Sequence, residues 1–129
     1  MSTSEAVTQG VRVQVRSEFI PRLSRPDRAH WMFAYTVRIR NEGTDTVQLI
    51  SRRWIITDSS GQERHVEGPG VVGAQPTLKP GQSFEYTSGC PLPTEVGTMH
   101  GTYQMVTTRG EQFDAEVAPF SLAQEYAFN

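Results

Sequence analysis

Strict alternation of apolar and polar residues along two stretches of this chain constrains its fold more than any other feature. Residues 11–16 place valine at every second position, with arginine or glutamine between, and residues 31–39 repeat an apolar residue with the same period. Successive side chains of a β-strand point to opposite faces, so this period of two is typical of strands with one buried face. The sequence therefore predicts long, half-buried strands.

The composition favours more strands of this kind over helices. The chain contains 13 threonines, 12 valines and 5 isoleucines, and 8 prolines and 11 glycines are spread along it. β-Branched residues fit a pleated sheet, whereas proline and glycine interrupt helices. No segment of about ten residues has a convincing helical pattern.

Turn sequences divide the chain into seven or eight predicted strands. Lys79-Pro80-Gly81-Gln82 has proline and glycine where a type II turn needs them, Ser59-Ser60-Gly61 is a second turn, and Arg109-Gly110 can close a hairpin. The alternation breaks at Ser51–Arg53, which predicts a bulge. Short strands at this spacing predict an all-β fold, an antiparallel β-sandwich.

The length fits a single domain over residues 1–129. Leucine, isoleucine, valine and phenylalanine number 28 of the 129 residues, which is enough for one modest core. Residues 1–9 and 124–129 show no strand pattern, so we expect them to be flexible tails.

Charge and targeting signals exclude several classes of function. The formal net charge of -2 argues against a nucleic-acid-binding protein. No apolar run approaches the ~20 residues that cross a bilayer, and the start MSTSEAVTQG lacks the basic and apolar parts of a secretion signal. The single Cys90 cannot form an internal disulfide, which agrees with a reducing compartment. We expect a cytoplasmic protein without a membrane partner.

A GxGxxG motif, Gly68-Pro69-Gly70-Val71-Val72-Gly73, follows a predicted short strand. In dinucleotide-binding folds such glycines precede a helix whose N-terminus binds pyrophosphate. Here Pro76 and Pro80 interrupt any such helix. Two interpretations stay open: a nest of backbone N–H groups that binds an anion, and glycines that only let the loop turn and pack. The candidate ligand or partner residues are Gly68, Gly70, Val71, Val72, Gly73 and Gln75.

The sequence contains no complete catalytic or metal-binding constellation. His30, His65 and His100 match no zinc-ligand spacing. Cys90 or Ser88 could act as a nucleophile only beside a histidine and an acid that the sequence does not place there. We predict no catalytic residue, no metal ligand and no cofactor, and we expect Cys90 to pack as a small apolar residue.

Large aromatic residues are the main core candidates in a chain with so few apolar residues. They are Trp31, Trp54, Phe84 and Tyr103. Tyr86, which follows the turn at Thr77–Gly81, is similar to the tyrosine of a sandwich corner, whose hydroxyl bonds an upstream backbone group.

Four segments are similar to a known family: FAYTVRIRNEG (33–43), VQLISRRWIITDSSG (47–61), VEGPGVVGAQPTLKPGQSFEYTSG (66–89) and GTMHGTYQM (97–105). With these segments in register over about 110 residues, the chain resembles the bacterial ApaG family. The resemblance implies a sandwich similar to fibronectin type III and immunoglobulin-like domains. The chain departs from the family at Arg53, where the family often carries histidine, and this weakens any metal site at that position.

The resemblance also bears on function. Related domains occur in eukaryotic F-box proteins and in a DNA-polymerase-interacting protein, which implies a protein-interaction module. In bacteria the family is associated with cobalt tolerance and magnesium efflux, and its gene lies near one for a diadenosine-tetraphosphate hydrolase.

We therefore expect a non-enzymatic module with a link to divalent-cation (Co²⁺/Mg²⁺) homeostasis. It would bind an unknown protein partner through a sheet edge or through the Gly68–Gln75 loop. The alternative is binding of a nucleotide or pyrophosphate-containing ligand by the GxGxxG loop. A monomer and a homodimer both remain open.

Overall fold

The structure, a computed structural model, describes residues 1–124 and consists mainly of β-strands. Nine strands follow one another along the chain: β1 (Ser2–Thr8), β2 (Val11–Phe19), β3 (Trp31–Asn41), β4 (Val47–Asp58), β5 (Glu63–Pro69), β6 (Thr77–Leu78), β7 (Ser83–Leu92), β8 (Val96–Thr107) and β9 (Gln112–Ala123). Short 3-10 turns at Pro21–Leu23 and Pro26–Arg28 connect β2 to β3. Within residues 1–124, no helix is long and apolar enough to cross a membrane.

The strands form two antiparallel sheets that pack face to face. One sheet has the order β1-β2-β3-β7, and the other has the order β5-β4-β8-β9, with β6 paired to the start of β4. The predicted all-β antiparallel sandwich is confirmed. The strands beyond the predicted number are the polar β1 and the two-residue β6, neither of which has an apolar alternation to reveal it.

The core lies between the sheets and is filled by the alternating residues that the sequence shows. The three valines of β2 are at most 3% exposed, and Trp54 and Tyr103 are 2% and 0% exposed. Trp31 and Phe84 are partly buried and pack against this core. Cys90 is buried among the apolar residues, as predicted.

The amino-terminal residues differ from the expectation of a flexible tail over residues 1–9. Ser2–Thr8 form β1, which pairs along its length with β2. The backbone N–H of Ser121 donates to the Ser2 hydroxyl at 2.9 Å, and that of Glu116 donates to the Thr8 hydroxyl at 3.0 Å. Hydrogen bonds therefore hold this strand in place. Such bonds leave no trace in the pattern of apolar residues, so the sequence did not predict the strand. Of the other predicted tail, 124–129, residue 124 is buried and the rest lies outside the described residues.

Local irregularities match the sequence in part. The register between β4 and β8 shifts between Leu49 and Ser51, directly before the Ser51–Arg53 segment where the bulge was predicted. A second shift, between Met99 and Gly101 in the pairing of β8 with β9, was not predicted. Gly81 has a φ of 88°, and the N–H of Gln82 donates to the Lys79 carbonyl at 2.9 Å, as the predicted turn requires.

The sandwich is closed along one side and open along the other. On the closed side the edge strands β1 and β9 pack against each other. On the opposite side β7 ends one sheet and β5 ends the other, and these two strands do not pair. We call this the open side, and it contains the GxGxxG loop, whose first two residues are the last two of β5.

Candidate functional site

The GxGxxG segment forms a tight turn at the end of β5. Val71 and Ala74 exchange two backbone hydrogen bonds of 2.8 and 2.9 Å, and the residues between them, Val72 and Gly73, have φ values of 43° and 81°. Two central residues with positive φ are typical of a type I′ turn. Gly70 has a φ of 60°, and a Cβ there would overlap the carbonyl oxygen of Ala74. Glycine at this position is therefore a requirement of the turn.

Three backbone N–H groups of the loop are already used within the protein. Gly70 donates to the Ile50 carbonyl at 2.9 Å, and Val71 and Ala74 donate to each other. An anion-binding nest needs successive N–H groups that point at the ligand. No helix follows the loop in the described chain, so the helix-dependent pyrophosphate geometry is not formed.

The remaining candidate residues of the loop have different surroundings. Val71 is 0% exposed and packs in the core, whereas Val72 is 61% exposed. Gly68 lies against the guanidinium of Arg52, and the Gln75 side chain donates to the Ile50 carbonyl at 2.8 Å. The structure thus brings the predicted residues into one loop, with Val72 and Gln75 exposed to solvent and Val71 buried.

Strand β5 offers unpaired backbone groups on its outer edge. Gly70 is hydrogen-bonded to Ile50, and bonded and non-bonded pairs alternate along an antiparallel ladder. His65 and Glu67 therefore direct their N–H and C=O groups away from β4. Pro69 occupies the next outward position, where its missing N–H limits pairing with other chains.

The facing edge, on β7, follows the same rule. The bonded pair Asn41 and Gln82 sets the alternation between β3 and β7, so Thr87 and Gly89 direct their backbone groups away from β3. Pro91 occupies the last outward position. Its carbonyl accepts a hydrogen bond of 3.1 Å from Arg64 of β5, which bridges the two edges.

A cavity of about 470 Å³ lies between the sheets on the open side. Aromatic side chains from both sheets and two arginines form much of its wall, and the GxGxxG turn closes one end. Its lining includes Tyr35, Arg52, Trp54, Arg64, Val72 and Tyr86.

Both arginines of the cavity are held by backbone carbonyls. Arg52 donates through Nη1 to Pro69 at 3.0 Å and to Gly70 at 2.9 Å, and so ties β4 to the start of the loop. Arg64 donates through Nη2 to Pro91. Within residues 1–124 neither arginine forms an ion pair with a carboxylate.

Two buried tyrosines, Tyr35 and Tyr86, line the cavity, and a third, Tyr103, lies behind Tyr86 in the core. The hydroxyls of Tyr86 and Tyr103 are hydrogen-bonded at 2.5 Å, so Tyr86 bonds a side chain of the other sheet and not the upstream backbone group that we predicted. Burial raises the pKa of Tyr35, of Tyr86 and of Tyr103, and the positive charge of Arg52 opposes each rise. All three phenols are therefore protonated at neutral pH.

The candidate catalytic and metal-binding residues are not assembled into a site. His65 and His100 lie on either side of Ile55 in neighbouring strands. Within residues 1–124 no three His, Cys, Asp or Glu side chains form a group that could hold a metal ion. Burial raises the pKa of the Cys90 thiol, with Arg64 opposing the rise, and the residues that line the cavity include no histidine or carboxylate.

Comparison with known proteins gives the relationship directly. The family model of the ApaG domain matches residues 21–107. The chain belongs to the ApaG family. It is 54% identical over 126 residues to Protein ApaG of Anaeromyxobacter dehalogenans, covering 98% of this chain and 99% of the relative. It is 53% identical to Protein ApaG of Rhodospirillum centenum, covering 90% of this chain and 89% of the relative.

The structural comparison agrees with the family. The chain is similar to the crystal structure of a Bordetella pertussis protein named ApaA, with a TM-score of 0.86 and 51% identity. The match covers 88% of this chain and 93% of the other. The family thus accounts for the sandwich, while its name specifies no chemistry.

Sequence reasoning missed both arginines of the cavity. Arg52 and Trp54 share a parity along β4 and so point to the same face. The bulge before Ser51 shifts this parity relative to Val47 and Leu49, so the alternation of the whole strand looks irregular. The apolar parity of Trp54 and Ile56, extended back to the observed register shift before Ser51, includes Arg52. No local pattern could have identified Arg64, because its position in the cavity depends on the strand order.

Proposed function

We propose that this member of the ApaG family is a non-enzymatic protein-interaction module. It adds an extended segment of a partner protein to the outer edge of β5, and an apolar residue of that segment covers Val72. In this β-augmentation the backbone hydrogen bonds supply affinity and the neighbouring side chains supply specificity. The loop and the sheet edge, two separate possibilities in the sequence, are one continuous surface here because β5 runs directly into the turn.

The observation that carries this proposal is the conformation of Val72. Its φ of 43° lies in the left-handed region, which β-branched residues rarely adopt, and its side chain is 61% exposed. Asparagine or glycine would fit the first central position of a type I′ turn with less strain. Valine therefore does not stabilise the turn at this position, whereas an apolar contact with a partner would account for its presence.

The edge itself supports selective pairing. The charged residues Glu63, Arg64 and Glu67 of β5, together with Pro69, oppose indiscriminate pairing with other sheets. The stretch between Glu63 and Pro69 keeps outward N–H groups at His65 and Glu67. A short complementary strand can use them.

We also propose that the module lacks enzymatic activity and acts in the cytoplasm. No acid, base and nucleophile meet in the cavity wall, and the raised pKa of Cys90 keeps its thiol protonated. A buried unpaired thiol suits a reducing compartment.

The test compares Glu67→Pro with Glu67→Ala. Both variants lose the Arg53–Glu67 ion pair of 2.9 Å, but Glu67→Pro alone removes the outward N–H. The tagged full-length chain is used to capture proteins from a cell extract, and each captured protein is quantified by mass spectrometry. We expect a protein that wild type and Glu67→Ala retain and Glu67→Pro loses by about tenfold, equivalent to ~1.4 kcal/mol.

Two results would contradict the proposal. Equal retention by all three proteins, with unchanged melting temperatures, would exclude strand addition at this edge. A wild-type dimer in sedimentation that Glu67→Pro dissociates would show that a second copy of the chain, and not a foreign partner, occupies the edge. Amide chemical shifts of residues 63–75 on addition of a captured partner's segment give the direct check.

The nucleotide alternative and the link to cations have their own experiment. ATP, diadenosine tetraphosphate, Mg²⁺ and Co²⁺ are titrated in turn while amide chemical shifts are recorded. Saturable shifts confined to Gly68–Gln75 with either nucleotide would favour the loop as an anion site. Paramagnetic broadening by Co²⁺ around His65 and His100 would favour direct cation binding. Spectra that do not change on addition of either cation would favour an indirect link to cations, through the partner protein.

A further inference from the structure

We propose that the cavity on the open side binds a small organic oxyanion: a carboxylate or phosphate joined to a flat apolar group. The oxyanion would bind at Arg52, and the apolar group would lie against the aromatic wall formed by Tyr35, Trp54 and Tyr86. This site is distinct from strand addition on β5 and does not depend on it, although both lie on the open side.

The dimensions of the cavity suit a ligand of this kind. Its volume of about 470 Å³ falls within the ~300–1,000 Å³ of typical small-molecule sites. Rings contributed by both sheets line it, with Tyr35 and Trp54 packed edge to face at 5.5 Å between centroids. Apolar side chains such as Val66 and Met99 complete the wall. We expect the flat group of the ligand to pack against this wall.

The charge of the cavity is positive and lacks an internal counter-ion. Arg52 and Arg64 line it, and no aspartate or glutamate does. The nearest carboxylates along β5 bond elsewhere: Glu67 pairs with Arg53 at 2.9 Å, and Glu63 lies 3.5 Å from His65. Apolar walls exclude water and strengthen the attraction between a guanidinium and an anion. An anionic ligand would supply the missing counter-charge.

Arg52 is fixed in position before any ligand arrives. Its Nη1 bonds to the Pro69 and Gly70 carbonyls hold the guanidinium at the start of the GxGxxG turn. A guanidinium has five N–H donors in one plane, so others remain for an oxyanion. An arginine held by backbone carbonyls needs little reorganisation to bind, and this favours affinity.

A tyrosine hydroxyl adds a second donor. Tyr86 and Tyr103 are joined by one hydrogen bond of 2.5 Å, which uses one of their two hydroxyl protons. Tyr86 lines the cavity and Tyr103 is fully buried. When Tyr103 donates to Tyr86, the Tyr86 proton is free to donate to the ligand. The indole N–H of Trp54, also in the wall, has no hydrogen-bond acceptor among the residues described.

Spacing along β4 separates the ends of the site. Arg64 of β5 lies opposite Ile56 of β4, and Ile56 is four residues after Arg52. The two arginine positions are therefore about 13 Å apart along the strand direction. Trp54 lies midway between them. A ligand with its anion at Arg52 thus places its ring over Trp54 before it reaches Arg64.

The experiment uses the full chain and three probes: 3-phenylpropionate, its neutral amide and phenyl phosphate. Binding is followed by tryptophan fluorescence and by amide chemical shifts around Trp54 and Gly70. We expect saturable binding of both anions and at least about tenfold weaker binding of the amide. A peptide ending in phenylalanine with a free carboxylate, compared with free 3-phenylpropionate, distinguishes a partner's C-terminus from a free metabolite as the source of the anion.

Neighbouring arginines provide a matched control. Arg52→Gln removes the guanidinium of the cavity, whereas Arg53→Gln removes one on the outer face that pairs with Glu67. We expect Arg52→Gln to weaken binding of 3-phenylpropionate by about tenfold or more and Arg53→Gln to leave it unchanged. If Arg52→Gln does not fold, Tyr86→Phe, which removes the second donor, should still weaken the binding.

Three results would overturn the proposal: no saturable response up to about 10 mM of either anion, equal affinity for acid and amide, or equal effects of the two arginine variants. Glu67→Pro should retain ligand binding because the cavity does not use the outer edge of β5. If Glu67→Pro loses partner capture but still binds the ligand, the two binding sites are independent of each other.

Discussion

The hydroxyl oxygens of Tyr86 and Tyr103 lie 2.5 Å apart and form a buried hydrogen bond between the two sheets. Tyr86 belongs to β7, the open edge of one sheet, and Tyr103 belongs to β8, inside the other. Burial raises the pKa of both phenols, so both are neutral at pH 7 and one donates to the other. The bond fixes β7 against the opposite sheet and holds Tyr86 in the wall of the cavity.

Removing both hydroxyls of this bond should destabilise the fold by less than the sum of the two single removals. Tyr103→Phe leaves the Tyr86 hydroxyl without its buried partner and should lower the free energy of unfolding by about 1–3 kcal/mol. Tyr86→Phe should have a similar effect, and the double variant should lose less than the sum. Urea denaturation of the four proteins measures the coupling. Additivity within ~0.5 kcal/mol would show that the two hydroxyls do not act together.

Two glycines of the GxGxxG motif should respond differently to alanine. Gly73→Ala meets no atom within 4 Å, so only the left-handed φ opposes it, at about 1–2 kcal/mol. Gly70→Ala places a methyl group on the Ala74 carbonyl as well, which should cost a further ~1–3 kcal/mol. Thermal melts of the two variants compare these effects. Equal melting temperatures would contradict the tight turn at Gly70.

Replacing Val72 should separate folding from binding. Val72→Gly relieves the strain of a φ of 43° and should stabilise the protein by about 1 kcal/mol, while it removes the apolar contact with a partner. Val72→Ala also removes that contact but keeps a side chain at positive φ. We expect both variants to lose partner capture and only Val72→Gly to melt at a higher temperature. Capture unchanged in both would remove Val72 from the interaction surface.

Trp54 should contribute more to stability than the other tryptophan. Its side chain is 2% exposed and packs edge to face against Tyr103 and Phe120. Trp54→Ala should therefore cost about 3–5 kcal/mol. Trp31 is half-buried at the start of β3, so Trp31→Ala should cost clearly less. Chemical denaturation of both variants tests the order, and a wild-type midpoint for Trp54→Ala would be inconsistent with its burial.

The thiol of Cys90 should be unreactive in the folded protein. Burial raises its pKa above the ordinary 9.0, and the nearby Arg64 opposes the rise only in part. The thiolate is the reactive form, so its fraction becomes appreciable only as the pH rises beyond that value. At pH 8 we expect slow modification by a thiol reagent in buffer and rapid modification in denaturant. Equal rates in the two solutions would show an accessible, acidic thiol.

The sequence predicted the features that depend on neighbouring residues. The alternation of β2 and β3 identified buried strands, the break at Ser51–Arg53 indicated a bulge that lies directly before it, and Gly81 identified a turn. Strand β1 escaped prediction because its alternating side chains are mostly polar. Pairing with β2 and hydroxyl bonds to β9 hold it in place.

The candidate site was predicted only in part for the same reason. The GxGxxG loop could be found because its glycines are adjacent in sequence. Arg64 and Pro91 are 27 residues apart, and their bond exists only because β5 and β7 are the unpaired edges of facing sheets. No local pattern carries that information.

Local patterns along the chain were enough to predict an antiparallel sandwich, because period-two burial and turn residues act between close neighbours. The long-range arrangement of the strands sets which edges stay open and what lies between them. Strand order sets Arg52 and Arg64 beside Tyr86 across a cavity, and it directs Val72 to solvent while Val71 enters the core. These contacts join residues distant in the chain, so the energy that fixes them arises from packing of whole sheets and not from any segment alone.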